Sequence, residues 1–392
     1  MGAKLQKIRV KNYRCLRDVS LATKPVNVLF GPNGVGKTTF LDALWFVRDC
    51  AIRGTDQAAS DRHHGIGVLW DGAGPEERIE ITIETASSIY TVSFGYSSGR
   101  IEPFVGESLQ SKTRSMTLVD RKIGSDQANL YHERMQQVMP VKLREPEKLA
   151  FSNFLLLCEP EEEAREMDEV LRAVHLYSSR SASFFQLRKL GSETGPHTFL
   201  WDRWQNLWSA LRNLHDRRAL DARYETIIRF MRQAFPDSFK DLVFEQLGAD
   251  RVYASFVEEG RRQPIQASGV SDGHLQLLSL LTALFGDQQY RFALQLFDEP
   301  ETSLHPHAIV VFANAVKLAA EEWNRQVFVA THSPVLMSQF AREETLVFAA
   351  VKATGTEATR VSDLVDLKDL LDRYALGALY MAEEVAKQSA AK

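Results

Sequence analysis

A phosphate-binding pattern, G-x-x-x-x-G-K-[ST], occurs at residues 31–39, which read GPNGVGKTT. Glycines let backbone N–H groups curl around a phosphate, and a helix that starts here aims further N–H groups and a partial positive charge at the same point. Lys37 adds a mobile positive charge for the β- and γ-phosphates, and the Thr38 hydroxyl is a hard oxygen ligand suited to Mg²⁺. The expected nucleoside triphosphate contacts are Asn33, Gly34, Val35, Gly36, Lys37, Thr38 and Thr39.

A second candidate group for chemistry is the carboxylate pair Asp298-Glu299, which ends the mostly apolar run 292–297. Alone, such a pair is more often a solvated turn; downstream of a phosphate loop, the catalytic interpretation is favoured. Asp298 is expected to hold Mg²⁺, directly or through water. Glu299 is expected to polarise the attacking water, since phosphoryl transfer otherwise needs mainly positioning and charge neutralisation.

The phosphate loop and the carboxylate pair can act together only if strands of one sheet place them at the same edge of that sheet. Residues 25–30 predict a strand before the phosphate loop, and residues 39–47 predict a helix after it. Residues 291–297 and 326–330 also predict buried strands, and His332 follows the second of these. Because α/β sheets bind ligands at the carboxyl ends of their strands, we expect these side chains to line one crevice.

A further anion contact is expected at the start of the apolar helix predicted over residues 271–285, which begins Ser271-Asp272-Gly273. A motif this short is also what an ordinary helix N-cap looks like. If two half-sites from two chains faced one nucleotide, nucleotide binding and dimerisation would be a single event.

Composition limits the class of protein. The chain has 392 residues, 44% of them hydrophobic and 25% charged, which argues against a disordered or disulfide-stapled chain. A formal net charge of −4 excludes a global positive field, although local basic faces stay open. Three widely spaced cysteines without a C-x-x-C suggest a reducing cytoplasm. No secretory signal and no run of about 18 apolar residues is found, so no membrane span is expected.

Three segments allow two interpretations each. The acidic stretch 159–169 is interpreted first as a solvated helix face or loop. A two-heptad apolar stripe, interpreted first as core and second as a partner face, is formed by Trp201, Trp204, Trp208 and Leu211. Between residues 172 and 232, eleven Lys and Arg accompany five Asp and Glu, which favours a solvated helical insertion over a DNA or RNA face.

Four motifs in this order resemble those of ABC-type ATPases, and most closely the RecF, SMC and OLD-like ATPases. They read GPNGVGKTT (31–39), SDGHLQLLSLLTAL (271–284), LFDEPETSLHP (296–306) and VFVATHSP (327–334). The resemblance implies that ATP and Mg²⁺ bind here, and that Ser271 and Gly273 contact the γ-phosphate held by the other subunit. It implies that His332 is the switch histidine that touches the γ-phosphate, and that the neighbourhood of Leu304 is the D-loop.

The same resemblance suggests Arg14 as a basic residue that reaches the nucleotide and Gln57 as one candidate for the Q-loop glutamine. Departures from the family also matter. The signature is not the L-S-G-G-Q form of transporters, and residues 100–245 are too few for long SMC coiled coils. The residues after 350 are too few for the TOPRIM nuclease domain of OLD proteins, so an ATPase without that nuclease is expected.

The expected fold is a phosphate-loop ABC/SMC-type ATPase head of the α/β class, with a mixed core sheet, an antiparallel β-subdomain and a helical insertion. Four segments are expected. Residues 1–100 and 246–350 form the two parts of the head, residues 101–245 a mainly helical insertion, and residues 351–392 a short helical tail.

The expected function is Mg²⁺-dependent ATP hydrolysis coupled to a homodimer or higher homo-oligomer. That switch would control a separate effector, a nuclease or toxin, in bacterial anti-phage defence. The alternative is a RecF-like DNA repair or recombination ATPase that binds DNA directly, for which the basic stretch 172–232 is the motivation. A transporter ATPase is disfavoured by the signature and the long insertion.

Overall fold

The protein is described from a computed structural model, which covers residues 4–74, 76–158, 162–181, 184–248, 250–286, 292–351 and 355–364. These residues form twenty strands and ten α-helices in mixed order. The strands are β1 (Lys7–Tyr13), β2 (Leu16–Ala22), β3 (Val26–Phe30), β4 (Ile79–Glu84), β5 (Ser88–Phe94), β6 (Tyr96–Ser97), β7 (Arg100–Ile101), β8 (Gly106–Ser111), β9 (Met116–Arg121), β10 (Gln127–His132), β11 (Gln137–Lys142), β12 (Val174–Ser178), β13 (Ser192–Glu193), β14 (Asp241–Leu247), β15 (Arg251–Val257), β16 (Ile265–Gln266), β17 (Ala293–Asp298), β18 (Arg325–Thr331), β19 (Thr345–Val351) and β20 (Gly355–Arg360). The helices are α1 (Lys37–Arg53), α2 (Thr55–Ser60), α3 (Ala150–Leu157), α4 (Glu162–Arg172), α5 (Phe184–Lys189), α6 (Leu207–Asp216), α7 (Arg223–Ala234), α8 (Asp272–Phe285), α9 (Pro306–Glu322) and α10 (Pro334–Met337).

A six-stranded sheet with the order β12-β17-β18-β3-β19-β20 forms the centre of the molecule. Its first five strands are parallel, and β20 pairs antiparallel to β19. The parallel strands β3, β17 and β18 are buried along their whole length, which explains why they appear in the sequence as continuous apolar runs.

Alternate residues of the central strands enter two different hydrophobic cores. Phe328 and Ala330 of β18 pack into a core that contains α1 and the antiparallel strands, whereas Val327 and Val329 pack into a core that contains α6 to α9. Helix α1 is therefore enclosed between the central sheet and the antiparallel sheet, and the helix that follows the phosphate loop is anchored on both sides.

An eight-stranded antiparallel sheet with the order β11-β10-β9-β8-β5-β4-β1-β2 covers α1. Within this sheet, β4 and β5 form an antiparallel pair. A smaller antiparallel sheet of β13, β15 and β14, extended by β16 on β15, lies in the core of α6 to α9. The expected head with its mixed core sheet and antiparallel subdomain is confirmed.

The content of the middle segment corrects one prediction. Residues 101–245 were expected to be mainly helical, but β8 to β11 occupy their first third, and β12 is a strand of the central sheet. The alternation of β11 is weak because this edge strand exposes or half-exposes every residue, so both of its faces tolerate polar side chains. The helical part of this segment comprises α3 to α7, and the predicted domain boundaries themselves stay predictions.

The end of the chain also differs from the expected helical tail. Residues 355–360 form β20, which is an edge strand of the central sheet, and a short 3₁₀ turn follows at residues 361–363. The remainder of the tail predicted over 351–392 lies outside the described residues from position 365 onward.

In the described part of the acidic stretch, residues 162–169, two carboxylates are bound within the chain, whereas Glu162 is exposed; residues 159–161 lie outside the described residues. On α4, Glu163 accepts hydrogen bonds from Ser111 and Thr113 of the antiparallel subdomain, and it pairs with Arg114. Glu166 accepts from Thr85 at 3.2 Å. Hydroxyl groups distant in sequence therefore give these carboxylates partners that charge patterning alone could not identify.

The tryptophan stripe is core, as the first interpretation held. Trp204, Trp208 and Leu211 are buried, whereas Trp201 is half-buried. Trp201 and Trp204 precede α6, so the stripe is not one continuous helix. None of the helices in the described ranges combines the length and the hydrophobicity that a membrane-spanning helix requires.

Gln326 of β18 connects the central sheet to the chain entering β1. Its side-chain oxygen accepts from the Leu5 N–H at 3.1 Å, and its Nε2 donates to the carbonyls of Leu5 at 2.9 Å and Lys24 at 3.0 Å. We predict that Gln326→Ala lowers the free energy of unfolding by about 2–4 kcal/mol, because buried backbone groups lose their partners. Chemical denaturation measures this change.

The matched control is Gln137→Ala, which removes the same side chain from an exposed position of β11. It is expected to change the free energy of unfolding by less than about 0.5 kcal/mol. Equal effects of the two substitutions would contradict a connecting role for Gln326.

Candidate functional site

The phosphate loop lies between β3 and α1, and two of its glycines are required by the packing around them. A Cβ on Gly31 would come within 2.4 Å of the Phe348 carbonyl oxygen of β19. Gly36 has φ 101°, and its Cβ would lie 2.9 Å from Cys15 Sγ and 3.0 Å from Thr356 Oγ1. Only glycine accepts this combination of positive φ and close approach.

Lys37, the first residue of α1, points back into the loop. Its Nζ donates to the carbonyl oxygens of Gly31 and Pro32, both at 2.8 Å. Burial lowers the pKa of Lys37, while the negative charges of Glu299, Asp298 and Glu301 oppose that shift. The ammonium group therefore lies in the field of the carboxylates that end β17.

Thr38 and Asp298, which are distant in sequence, meet at the loop. Thr38 Oγ1 donates to Asp298 Oδ1 at 2.7 Å, and Ser178 Oγ donates to Asp298 Oδ2 at 3.3 Å. Burial is the main cause that raises the pKa of Asp298, and the neighbouring Glu299 raises it further. Adjacent hydroxyl and carboxylate oxygens are the donor set that Mg²⁺ prefers, so the two side chains fit the metal expected from the sequence.

Glu299 lies at the turn after β17 in a left-handed conformation with φ 51°. Its N–H donates to the Ala330 carbonyl at 2.9 Å, which ties the turn to β18. Its carboxylate accepts from Arg180 Nη2, and His332 Nδ1 lies 3.9 Å from its Oε1. A non-glycine residue with positive φ is uncommon, and such backbone strain concentrates at functional sites.

Glu301 is a site residue whose importance the sequence did not reveal. Its Oε1 accepts from Thr331 Oγ1 at 2.6 Å and lies 3.6 Å from His332 Nδ1. Burial raises the pKa of Glu301. The carboxylate therefore orients the end of β18, after which His332 is exposed.

Three further residues, 178–180, come from the end of β12 and the short 3₁₀ turn after it, in the segment expected to be helical. The parallel register places Ser178 beside Asp298, so residues 178–180 meet the carboxylate turn. Ser179 Oγ donates to the Glu299 carbonyl at 2.8 Å and accepts from Gln276 Nε2 at 2.8 Å. The only sequence signal was the short alternation V-H-L-Y at residues 174–177, too brief to distinguish this strand from its helical surroundings.

The predicted signature residues lie elsewhere, at the start of α8. Ser271 is exposed, and its Oγ is 2.8 Å from Nδ1 of His274, which stacks on Phe235. A Cβ on Gly273 would come within 2.7 Å of the Ser303 carbonyl, so the helix start packs against the turn that precedes Leu304. Ser271 is thus exposed, and the half-buried Gly273 lies against the expected D-loop.

Two suggestions from the family resemblance have specific positions. Arg14 forms an ion pair with Asp42 of α1 at 3.2 Å. Gln57 lies exposed on α2. Beside the carboxylate turn lie residues 178–180 and Gln276, whose Nε2 also donates to the Pro300 carbonyl at 3.2 Å.

The basic stretch 172–232 does not form one free face. Arg180 contacts Glu299, Arg188 pairs with Asp272 at 2.7 Å, and Arg232 donates to the Lys240 carbonyl at 2.6 Å. Two of these charges are therefore paired with carboxylates of the same chain, and the third side chain is bound to a backbone carbonyl.

Sequence families match two parts of the chain that contain this site. Residues 196–338 match the family described as "AAA domain, putative AbiEii toxin, Type IV TA system", and residues 4–51 match the family described as "AAA ATPase domain". An OLD nuclease of Thermus scotoductus is 50% identical over 40 residues, which are 10% of this chain and 8% of that protein. The match thus spans only a small part of that relative.

The fold is similar to that of an Smc head domain with an extended coiled coil, solved with the C-terminal domain of ScpA derived from Pyrococcus furiosus. That alignment has a TM-score of 0.50 and 11% identity, and it covers 94% of this chain and 99% of that chain. An SmcHead bound to the C-winged helix domain of ScpA aligns with a TM-score of 0.49 and 13% identity, over 91% and 97% of the two chains. The first similarity is one of fold alone.

The raised pKa of Asp298 predicts a conflict between stability and metal binding. A carboxylate whose pKa is higher in the folded than in the unfolded state stabilises the fold at low pH and loses that contribution as pH rises. Asp298→Asn keeps an acceptor for Thr38 and removes the charge. We predict that it raises stability at neutral pH by about 1 kcal/mol, or about 2–4 °C in Tm, with a smaller gain at pH 5.

Thermal unfolding at the two pH values measures the effect, with the exposed Asp237→Asn as control. The Asp298→Asn protein is also expected to lose the additional stabilisation that Mg²⁺ gives in the presence of ATP. A Tm of Asp298→Asn below that of the wild type at neutral pH would show that the buried charge of Asp298 does not destabilise the fold.

Proposed function

We propose that this chain, an ABC/SMC/OLD-like ATPase, hydrolyses ATP with Mg²⁺ in a pocket that a second copy completes. The observation that carries the proposal is the convergence of Lys37, Thr38, Asp298, Glu299 and His332 on one edge of the central sheet. They come from the phosphate loop and from the ends of β17 and β18, and each has the charge or hydrogen-bonding group that phosphoryl transfer needs.

In the proposed reaction, the oxygen of a water molecule bonds to the γ-phosphorus while the bond to the β–γ bridging oxygen breaks. The bridging oxygen leaves with the electron pair on ADP, and Glu299 accepts the proton of the water. Lys37 binds the β- and γ-phosphates, and His332 donates to the γ-phosphate. Mg²⁺, held by Thr38 and Asp298, supplies positive charge to the phosphates when bound.

The second half of the pocket is assigned to Ser271 and Gly273 of another copy. Helix α8 begins at an exposed end, and a helix N-terminus attracts anions through its free N–H groups and its partial positive charge. Facing the phosphates of a partner chain, these groups would bind ATP only when two chains associate. ATP then stabilises the dimer, and hydrolysis releases it.

We assign the switch to the control of a separate effector, a nuclease or toxin, in anti-phage defence within the cytoplasm. Support comes from the names of one matching family and one similar protein. The family description names a putative toxin of a toxin–antitoxin system, and the similar protein is an OLD nuclease. The alternative, a RecF-like ATPase that binds DNA directly, has weaker support because several arginines of the basic stretch 172–232 are engaged within the chain.

A mixing experiment tests the shared pocket. Lys37→Ala removes the phosphate-binding charge, and Ser271→Arg blocks the contribution of the partner, so each variant alone is expected to be inactive. A mixture of both should regain about a quarter of the wild-type ATPase rate, because half of randomly formed dimers are mixed and each keeps one intact pocket of two. Phosphate release measures the rate.

The matched control mixes Lys37→Ala with Glu299→Gln, whose lesions lie in the same half-site. No mixed dimer of that pair has an intact pocket, so activity should not return. Absence of recovery in the first mixture, with both variants folded and able to form mixed dimers, would exclude the shared pocket.

Glu299→Gln is predicted to bind ATP but to hydrolyse it about 10²–10⁴-fold more slowly, because the acceptor for the water proton is lost. The protein should then accumulate as an ATP-bound dimer, which light scattering after gel filtration detects. In cells, the same variant should retain an effector that Lys37→Ala does not retain, as measured by mass spectrometry of co-purified proteins.

Glu259→Gln removes an exposed carboxylate and provides the control for both measurements. A Glu299→Gln protein that hydrolyses ATP at the wild-type rate would remove this residue from the proposed chemistry. Identical co-purified proteins with all three variants would argue against ATP-dependent control of an effector.

A further inference from the structure

Arg180 makes an unexpected contact with the proposed general base. Its Nη2 lies 3.1 Å from Oε1 and 3.1 Å from Oε2 of Glu299. The side chain of Arg180 is 71% exposed, whereas that of Glu299 is 16% exposed. This contact uses one of the three guanidinium nitrogens, so the group can meet a second acceptor with its other N–H groups.

The charge of Arg180 reaches the phosphate loop. It contributes to the lowered pKa of Lys37, of which burial is the main cause, and it opposes the burial-driven rise in the pKa of Asp298. The guanidinium group therefore lies within electrostatic range of the lysine expected to bind the β- and γ-phosphates. An exposed arginine at such a position is well placed to meet a phosphate, which guanidinium groups bind in bidentate geometry.

The backbone on which Arg180 stands is fixed, whereas its tip is not enclosed. Ser178 pairs in register with Asp298, and Ser179 donates to the Glu299 carbonyl and accepts from Gln276. Ser178, Ser179 and Arg180 thus contact, in that order, the Asp298 carboxylate, the Glu299 backbone and the Glu299 side chain. Because the backbone of Arg180 is fixed and its guanidinium group is exposed, the guanidinium can change partners without movement of the sheet.

We propose that Arg180 is a positioning residue that engages the Glu299 carboxylate until the γ-phosphate of ATP draws the guanidinium away. The proposal rests on the proposed ATPase function. An exposed arginine–carboxylate pair contributes little free energy, about 0.2–1 kcal/mol, so exchange for a more highly charged phosphate is favourable. While the pair persists, both carboxylate oxygens are engaged with Arg180; after exchange they are available to the attacking water.

The exchange predicts a selective change in nucleotide affinity. Arg180→Ala should weaken binding of a non-hydrolysable ATP analogue by about 10–100-fold, because a charge-assisted hydrogen bond to the γ-phosphate is lost. Binding of ADP, which has no γ-phosphate, should change by less than about twofold. Fluorescent analogues of both nucleotides, titrated into dilute protein with Mg²⁺, measure the two affinities. Arg180→Lys should recover part of the selectivity, since a lysine keeps the charge but not the bidentate geometry.

A double-mutant cycle tests the link to Glu299. Glu299→Gln frees Arg180 from its carboxylate partner, so it should strengthen binding of the ATP analogue more in the wild-type background than in the Arg180→Ala background. The expected difference is about 1.4–5-fold, the range of an exposed ion pair. Any effect of removing the negative charge of Glu299 itself is present in both backgrounds and cancels.

Arg217→Ala, which removes another exposed arginine of the same stretch, is the control and should affect neither nucleotide. Unchanged affinity for the ATP analogue in Arg180→Ala, or an equal loss for both nucleotides, would overturn the proposal, the second because it would indicate a structural role. If the wild-type protein bound neither nucleotide, the proposed function itself would fail. Arg180→Ala could weaken binding of the ATP analogue alone while the effects of Arg180→Ala and Glu299→Gln on affinity are additive. That result would overturn the exchange of partners between Glu299 and the γ-phosphate.

Discussion

The parallel register of the central sheet is the constraint on which the site depends. β12, β17, β18 and β3 run in the same direction, so their carboxyl ends meet at one edge. There the hydrogen bond between Thr38 and Asp298 joins residues 260 positions apart in sequence. A slip of one residue in this register would move every side chain of the shifted strand to the opposite face of the sheet. The residues of β18 that now pack into the two different cores would then exchange places.

Charge at this edge is expensive for the fold. Burial raises the pKa of both Asp298 and Glu301 and lowers that of Lys37, so each ionised form is disfavoured by desolvation. The opposite charges offset part of the cost for one another, and hydroxyl groups of Thr38 and Thr331 satisfy the carboxylates. Together with the left-handed backbone of Glu299, this arrangement is typical of sites in which stability is given up for function.

Burial also separates two classes of site residue. The residues that would position the phosphates and the metal are enclosed or tied by hydrogen bonds, whereas Ser271 and the tip of Arg180 are exposed. Groups that must meet a partner chain or exchange contacts during a cycle need such exposure. The turn between Glu299 and Leu304 touches both classes, since it bonds to residue Ser179 and packs against the start of α8. A change on one side of this turn can therefore reach the other.

The sequence by itself determined the local chemistry: the phosphate loop with its required glycines, the apolar strands that flank it, and the carboxylate pair, because these depend on neighbouring residues. Helix α8 was predicted for the same reason. The roles assigned to the site residues stay predictions. Only the tertiary structure decided that β12 joins the central sheet, that Glu301 orients the end of β18, and that Arg180 reaches Glu299. Those contacts either join segments more than 100 residues apart or depend on which strands pair. Local patterning contains no information about which distant strands pair.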